Sequence, residues 1–200
     1  MIVAALTGSI AMGKTTTAKL FGDRGIPVFD SDAAVHALYA KGGKAVSVLR
    51  EIVPAAIADG AVDRKLLAAE ILARSHLLEK IEQAVHPLVQ EMQQKFLEDA
   101  AKAGAALVIL DIPLLFETGR DGHVDRIITV TASPQLQRAR ALARPGMTEE
   151  KFDLLLSRQV PDVEKRARAD YVIDTSEGIA DAAGQVDRII AELAESAIIQ

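Results

Sequence analysis

The sequence predicts an α/β fold in which a five-stranded parallel sheet carries helices on both faces. Five short apolar runs alternate along the chain with longer segments whose apolar residues recur at helical intervals. This alternation is typical of a parallel sheet, because parallel neighbours are joined by helical crossovers. Half of the 200 residues are hydrophobic and the mean hydropathy is +0.17, so the chain can bury a core of one domain's size.

The first part of the chain predicts a strand, a helix and a second strand. Residues 2–7 form a short apolar run that ends at Gly8, as expected for a buried strand. Helical spacing follows from Lys14 to about Asp23. Residues 26–29 then form the second apolar run.

Residues 33–103 show no convincing strand. Their apolar residues recur at helical spacing, and Pro54, Gly60 and Pro87 interrupt the pattern, the last of them where His86-Pro87 closes a helical stretch. We interpret the segment as a helical insertion, because it is far longer than a crossover between neighbouring strands needs.

The second half of the chain predicts three more strands, at residues 106–110, 126–130 and 171–173. Residues 135–168 between them are helical and strongly charged, with breaks at two prolines, and an amphipathic helix over residues 179–194 closes the chain.

We therefore expect a core built from residues 1–30, 104–137 and 169–200, from which two helical excursions project, 31–103 and 138–168. In open parallel sheets, ligands bind at the carboxyl ends of the strands. The residues predicted at those ends are Gly8, Asp30, Asp111 and Thr131.

Composition excludes several classes of protein. The chain has no Cys, which excludes disulfide frameworks, thiolate metal sites and a Cys nucleophile. It has no Asn, which excludes the Asn-Lys-x-Asp motif that reads guanine in GTPases. With 23 Lys and Arg against 28 Asp and Glu, the net charge of −5 predicts no general attraction to nucleic acid or to an anionic membrane.

The sequence also predicts a cytoplasmic protein without a membrane anchor. The apolar run at the amino terminus is too short for a secretory signal and has no basic residue before Lys14. No other run approaches the roughly 18 apolar residues of a membrane span.

The segment Gly8-Ser-Ile-Ala-Met-Gly-Lys-Thr15 matches G-x(4)-G-K-[ST], the pattern of a phosphate-binding loop. Such a loop points backbone N–H groups at the phosphates, and the helix that follows presents its N-terminus to the same anion. Lys14 would reach the β- and γ-phosphates of a nucleoside triphosphate, and the Thr15 hydroxyl would bind Mg²⁺. The predicted nucleotide contacts in this segment are Gly8, Ala11, Met12, Gly13, Lys14, Thr15 and Thr16.

Two aspartates, Asp30 and Asp32, follow the second predicted strand. In an extended segment, alternation would place both carboxylates on one side. One of them could then accept the proton of an attacking hydroxyl or hold a metal. The alternative is that they cap a helix starting at Ala33. Beside a phosphate-binding loop we favour the catalytic role.

Three further charged residues are candidates for phosphate chemistry. Asp111 ends the strand 106–110, a position from which an Asp commonly orients Mg²⁺. Arg140 and Arg144 lie four apart on a predicted helix and hence on one face, from which they could stabilise charge on a transferred phosphoryl group. The alternatives are a strand-ending Asp and a solvated charged helix.

In their order along the chain, these features resemble the dephospho-CoA kinase family of coenzyme A biosynthesis. The landmarks span nearly the whole sequence, and the paired aspartates, the His-Pro pair and the Pro-Leu-Leu-Phe-Glu stretch are specific. The matching landmarks are the loop in its Leu6-Thr7-Gly8 context, Asp30-Ser-Asp32 with His36, Asp63-Arg64, His86-Pro87, Pro113-Leu-Leu-Phe-Glu117, Gln137 with Arg140 and Arg144, Gln159, and Ala169-Asp170.

The resemblance implies an enzyme that uses ATP and Mg²⁺ to phosphorylate the ribose 3′-hydroxyl of dephospho-CoA. It implies a nucleotide-binding core, a helical acceptor domain at residues 31–103 and a helical lid at residues 138–168, called the lid segment below. Asp32 matches the family's general base, and Arg140 and Arg144 match lid arginines that face the ATP phosphates. The positions matched to the acceptor are Asp30, Asp32, His36, Arg64, His86, Leu114 and Glu117.

The chain departs from the family pattern at five positions. The usual Gly-Gly-Ile-Gly-Ser-Gly-Lys loop is changed at Ser9, Ala11 and Met12, which bears on nucleotide affinity rather than on chemistry. Pro145 replaces the usual Asp after the lid arginine, and Thr175 replaces an Asn after the last strand.

Three other functions are compatible with a phosphate-binding loop. A kinase for another small molecule or nucleotide would share the core and the lid but need a different acceptor pocket. A nucleotide-dependent switch is disfavoured by the missing guanine motif and by the large helical insertion. An adaptor with a degenerate loop is suggested only by Met12.

Overall fold

The computed structural model describes residues 1–119 and 121–198. The strands are β1 (Ile2–Thr7), β2 (Val28–Asp30), β3 (Ile57–Ala58), β4 (Ala61–Val62), β5 (Leu107–Asp111), β6 (Arg126–Thr131) and β7 (Tyr171–Asp174). The helices are α1 (Lys14–Gly22), α2 (Ser31–Tyr39), α3 (Lys44–Ile52), α4 (Arg64–Ala73), α5 (His76–Lys102), α6 (Pro134–Leu142), α7 (Glu149–Ser157), α8 (Asp162–Ala167) and α9 (Ile179–Ile198), with short 3-10 helices at Pro54–Ala56 and Asp121–His123.

The predicted α/β fold with a five-stranded parallel sheet is confirmed. The strands lie in the order β2-β5-β1-β6-β7, so the first strand is central. β1 pairs in parallel with β5, where Leu6 is opposite Asp111, and with β6, where Thr7 is opposite Thr129. The carboxyl ends of the strands therefore meet at one edge, where the predicted phosphate-binding loop begins.

The central strands are buried on both faces. Ala4, Ala5 and Leu6 of β1 are inaccessible to solvent, as are Val108 and Ile109 of β5. This explains the nearly continuous apolar runs, which are expected where helices cover both faces of a parallel sheet. One face of the core is completed by buried residues of α1 and α9, which include Ala18, Phe21, Val186 and Leu193.

The chain forms two compact units. The larger consists of residues 1–29 and the chain from Ala100 onward, and it contains β1, β5, β6, β7 and the lid segment. The smaller runs from Asp30 to Asp99 and is mainly helical. Along the described ranges, 1–119 and 121–198, no helix has the length and apolarity needed to cross a membrane.

The expectation that residues 33–103 lack strands is wrong in one place. Strands β3 and β4 form a small antiparallel hairpin in which Ile57 is opposite Val62. Asp59 and Gly60 connect them with φ values of 49° and 80°. Both central residues of a tight hairpin turn need positive φ, and Asp-Gly is a typical pair for it. The dipeptide was therefore a signal for this hairpin.

Several predicted boundaries also need correction. His86 and Pro87 lie inside α5 and do not close a helix. α2 already begins at Ser31, so Asp30 and Asp32 are not two residues of one extended segment. α6 ends at Leu142, so Arg144 lies beyond the helix that carries Arg140.

A buried ion pair between Glu117, which follows β5, and Lys165, near the end of the lid segment, connects these two parts of the chain. Glu117 Oε1 lies 2.8 Å from Lys165 Nζ, and the Lys165 side chain is fully buried. The same carboxylate accepts a hydrogen bond of 2.9 Å from the backbone N–H of Val160. Burial raises the pKa of Glu117, but the ion pair with Lys165 and the hydrogen bond from the Val160 N–H outweigh it, so its pKa is lowered.

We expect Glu117→Gln to lower the free energy of unfolding by about 3 kcal/mol at pH 7, because it leaves the Lys165 charge buried and unpaired. A carboxyl with a lowered pKa stabilises the fold above its ordinary pKa of 4.5, and this contribution is lost as the pH falls through the folded-state value. Urea unfolding at pH 7 and at pH 3 should therefore show a difference between wild type and variant that shrinks in acid.

The control for this prediction is the double variant Glu117→Gln/Lys165→Met. It removes both charges and should cost less than Glu117→Gln alone. Equal stabilities of wild type and Glu117→Gln at pH 7 would contradict the role assigned to the pair.

Candidate active site

The phosphate-binding loop is shaped by two glycines that the structure requires. A Cβ atom at Gly8 would lie 2.5 Å from the Val130 carbonyl oxygen of β6, which is closer than two non-bonded atoms can approach each other. Gly13 has a φ of 97°, a left-handed conformation, and precedes α1 without a side-chain cap. The first N–H groups of α1 therefore remain available to an anion.

The two departures at the tip of the loop have different consequences. Ala11 has a φ of 61°, a conformation that costs a non-glycine residue about 1 kcal/mol and has to be held by its surroundings. Met12 is only 3% exposed, and its side chain belongs to the core cluster with Leu6 and Ile128. The bulk of Met12 therefore faces the core, although we predicted this residue as a nucleotide contact.

Lys14 and Asp111 form an ion pair at the carboxyl edge of the sheet. Lys14 is the first residue of α1, and Asp111 is the last residue of β5, the strand beside β1. Only 15% of the Lys14 side chain and 5% of the Asp111 side chain are exposed, so the two charges interact with little screening. The structure thus brings two of the predicted phosphate and metal residues together.

A cavity of about 350 Å³ opens at the N-terminus of α1. It unites residues from three parts of the larger unit: the loop with α1, the arginines of the lid segment, and the turn that leads into α9. Its lining comprises Ala11, Gly13, Lys14, Thr15, Thr16, Thr17, Arg140, Arg144, Thr175, Gly178, Ile179 and Ala182. Sequence reasoning missed Thr17 in α1, and it missed Gly178, Ile179 and Ala182, which no local motif marks.

Arg140 is fixed at this cavity by Thr175. Its Nη1 atom donates a hydrogen bond of 2.7 Å to Thr175 Oγ1, and its Nη2 atom donates one of 3.0 Å to the Thr175 carbonyl oxygen. Thr175 Oγ1 in turn lies 2.9 Å from the Met12 carbonyl oxygen. Thr175 therefore joins Arg140 to the phosphate-binding loop. Arg144 is exposed and also lines the cavity.

In the smaller unit, Asp30 and Asp32 have separate roles. Asp30 is the N-cap of α2, and its Oδ1 atom accepts a hydrogen bond of 2.9 Å from the Ala33 N–H. The capping alternative is thus correct for Asp30. Asp32 is exposed in the first turn of α2, and His36 follows four residues later on the same helical face.

The same face of α2 continues to Tyr39, and Arg64 of α4 lies over the Tyr39 ring. Tyr39 lies seven residues after Asp32, and the Arg64 guanidinium carbon lies 5.9 Å from the centre of the Tyr39 ring. Arg64 is the first residue of α4 and follows its N-cap, Asp63. Hydrogen bonds from the Leu66 and Lys65 N–H groups lower the pKa of Asp63. The missed residue Tyr39 could have been found from its spacing to Asp32 and His36.

The other predicted acceptor residues belong partly to the smaller unit and partly to the larger one. His86 is exposed within α5 of the smaller unit. Leu114 belongs to the larger unit and is 44% exposed. Glu117, also in the larger unit, uses its Oε1 atom to hold Val160 and Lys165.

The oxygen donors Thr15 and Asp111 fit a hard divalent cation such as Mg²⁺, which prefers hydroxyl, carboxylate and phosphate oxygens. In the part of the chain that the structure describes, no group of three or more His, Asp or Glu side chains could hold a metal by itself. A metal that reaches this site together with phosphates is consistent with this composition.

Comparison with known proteins gives one consistent result. The dephospho-CoA kinase family matches residues 1–181. A dephospho-CoA kinase from Rhodopseudomonas palustris (strain HaA2) is 49% identical over 190 residues, covering 95% of this chain and 94% of the relative. One from Rhizobium etli is 51% identical over 193 residues, covering 96% of this chain and 94% of the relative.

Several solved structures share the fold of this chain. TT1252 from Thermus thermophilus superposes with a TM-score of 0.80 at 33% identity, covering 96% of this chain and 97% of that one. A dephospho-CoA kinase from Campylobacter jejuni gives a TM-score of 0.73 at 22% identity, covering 97% and 98%. A shikimate kinase from Acinetobacter baumannii shares the fold with a TM-score of 0.54 at 16% identity, covering 98% and 94%.

The family match covers the phosphate-binding loop, Asp30 with Asp32, and Arg140 with Arg144. These are among the residues on which the resemblance was based. With relatives about half identical over nearly the full length, the resemblance is confirmed. The chain belongs to the dephospho-CoA kinase family.

Proposed function

We propose that this protein transfers the γ-phosphoryl group of ATP to the 3′-hydroxyl of the ribose of dephospho-CoA, giving coenzyme A and ADP. The observation that carries the proposal is the phosphate-binding loop with Lys14 at the N-terminus of α1 and Asp111 beside it. The dephospho-CoA kinases that are about half identical to the chain support the choice of acceptor.

At the nucleotide end, the proposed work of the chain is binding and charge neutralisation. The N–H groups at the start of α1 and the Lys14 ammonium face the cavity and suit the β- and γ-phosphates of ATP. Lys14 exchanges its partner Asp111 for the phosphates when the nucleotide enters. Because negative charge develops on the transferred group, fixed positive groups lower the barrier.

Arg140 and Arg144 supply further positive charge from the lid segment. The two hydrogen bonds to Thr175 hold the Arg140 guanidinium at the cavity before any ligand arrives. A preoriented guanidinium loses less rotational freedom when it binds an oxyanion, so more of the interaction stabilises the transition state. Arg144 is exposed and reaches the same cavity.

Mg²⁺ bound together with ATP would neutralise phosphate charge and polarise the transferred group. The residues that would hold it are Thr15, through its hydroxyl, and Asp111, through its carboxylate. We therefore assign ATP and Mg²⁺ as the required cosubstrate and cofactor.

On the acceptor side, we assign Asp32 as the general base that takes the proton of the ribose hydroxyl. The helix cap is already provided by Asp30, so Asp32 is not needed for it, and its exposure leaves its carboxylate accessible. His36 shares a face of α2 with Asp32, and Arg64 of α4 lies over the Tyr39 ring of that helix. Both His36 and Arg64 would bind the anionic groups of dephospho-CoA. Asp30, His86, Leu114 and Glu117 complete the proposed acceptor contacts.

The main alternative is a kinase that acts on another small molecule. The similarity in fold to a shikimate kinase shows that this core is shared with such enzymes, but at 16% identity it says nothing about the acceptor. Cytoplasmic location and the absence of nucleic-acid and membrane partners stay predictions.

A coupled assay of ADP release over a panel of acceptors tests the proposal. We expect ADP to form with dephospho-CoA, in amounts equal to the coenzyme A produced, and not with shikimate, nucleosides or nucleoside monophosphates. ADP release with one of those acceptors alone would identify another kinase. Release without any acceptor would indicate a nucleotide-dependent switch, and a failure to bind nucleotide would indicate an adaptor.

We expect Asp32→Asn to lower kcat by at least about a hundredfold, because general-base catalysis contributes on this order. The Kd of ADP, measured by calorimetry, should stay within twofold of the wild-type value, since Asp32 belongs to the smaller unit and the residues that line the nucleotide cavity belong to the larger one. Glu51→Gln, at an exposed carboxyl of α3, is the control and should retain full activity. Full activity of Asp32→Asn would exclude the assigned base.

A further inference from the structure

Two glutamines hold the backbone of the phosphate-binding loop at Ile10. The Ile10 N–H donates a hydrogen bond of 2.9 Å to Gln159 Oε1. Gln137 Nε2 donates a hydrogen bond of 2.9 Å to the Ile10 carbonyl oxygen. The two peptide groups that flank Ile10 are therefore both fixed by side chains that are far away in the sequence. We call this pair the glutamine clamp.

The clamp connects the loop to α6, which runs into the lid segment, and to the stretch that follows α7 within that segment. Gln137 lies in α6, three residues before Arg140, and only 5% of it is exposed. Gln159 lies after α7, where its own N–H is held by the Leu156 carbonyl oxygen at 3.0 Å. The helix α6, which carries Arg140 at the cavity, is thus hydrogen-bonded to the loop through Gln137, about one helical turn before Arg140.

An apolar cluster supports the same junction. Ala11 and Ile10 of the loop pack with residues of the lid segment in a small core separate from the main one. The other members of the cluster are Ala141, Met147, Phe152 and Leu156. Loop and lid segment therefore meet through an apolar patch to which the loop contributes Ile10 and Ala11, and the clamp holds the backbone of Ile10.

The conformation of Ala11 explains why the loop needs this support. Its φ of 61° is rarely adopted by a residue with a Cβ atom, and such conformations persist only where the surroundings hold them. The peptide group between Ile10 and Ala11 is the one whose carbonyl Gln137 holds. Ala11 also lines the nucleotide cavity, so a change in its backbone would alter the surface that meets the phosphates.

We propose that Gln137 and Gln159 are positioning residues for nucleotide binding. They hold the loop in the conformation that receives the ATP phosphates, and they fix the position of the lid segment relative to the loop. Neither side chain lines the cavity, so each acts through the Ile10 backbone and not by contact with the nucleotide. The inference rests on the proposed ATP site. It adds to that site the residues that keep its loop in shape.

The test uses Gln137→Met and Gln159→Met, which keep the length of the side chain and remove its hydrogen bonds. Gln94→Met is the matched control, since Gln94 is exposed on α5 and bonds only to Glu98 among the hydrogen bonds of the described residues. For each clamp variant we expect the Kd of ADP and the KM of ATP to rise about tenfold, because a buried peptide group loses its partner. The KM of dephospho-CoA should stay within twofold.

Two further measurements separate positioning from a general effect on the fold. Amide exchange of the Ile10 N–H should accelerate in Gln159→Met and stay slow in Gln159→Glu, whose carboxylate still accepts that bond. Wild-type ADP affinity in both Met variants would overturn the proposal, and so would an equal loss of affinity for both substrates accompanied by a lower Tm. A wild-type protein that fails to bind ADP would instead refute the proposed function.

Discussion

The turn between β1 and α1 has to bring the backbone against β6 at one end and start a helix with free N–H groups at the other. Gly8 satisfies the first requirement, since any side chain would collide with the Val130 carbonyl oxygen. Gly13 satisfies the second through its left-handed conformation. Between them the loop contains Ala11 and Met12 where the family has smaller residues. The structure accommodates both by turning Met12 into the core and by surrounding Ala11 with the lid segment.

Local charge explains how an acidic chain can bind a polyanion. The net charge of −5 describes the whole molecule, but at the cavity Lys14, Arg140 and Arg144 lie around the N-terminus of α1. Lys14 is paired with Asp111 until the phosphates replace that carboxylate, whereas Arg140 is already held at the cavity by Thr175. Such preorganisation is favourable because less reorganisation is needed when the phosphates bind.

The parts of the fold that depend on local pattern were predictable from the sequence. Apolar runs marked the five sheet strands, and the loop motif in its strand–helix context placed Lys14 at the start of α1.

Local pattern failed where tertiary structure decides. Pro87 lies within a long helix, although proline usually ends one. Arg140 and Arg144 meet at the cavity through the fold and not through one helical face. Gln137 and Gln159 matched the family, but only the structure shows that both reach Ile10.

The central claim is that Lys14 and the loop around it bind the phosphates of ATP. The most direct measurement is calorimetric titration of ADP into wild type and into Lys14→Met/Asp111→Asn, which removes the ion pair without leaving one buried charge alone. Carried out without divalent cations, it isolates the ammonium from any metal bound by Asp111. The account predicts that ADP affinity falls about a hundredfold while the folded structure is kept, as expected when a partly buried charged contact to phosphate is lost. An unchanged affinity would contradict it.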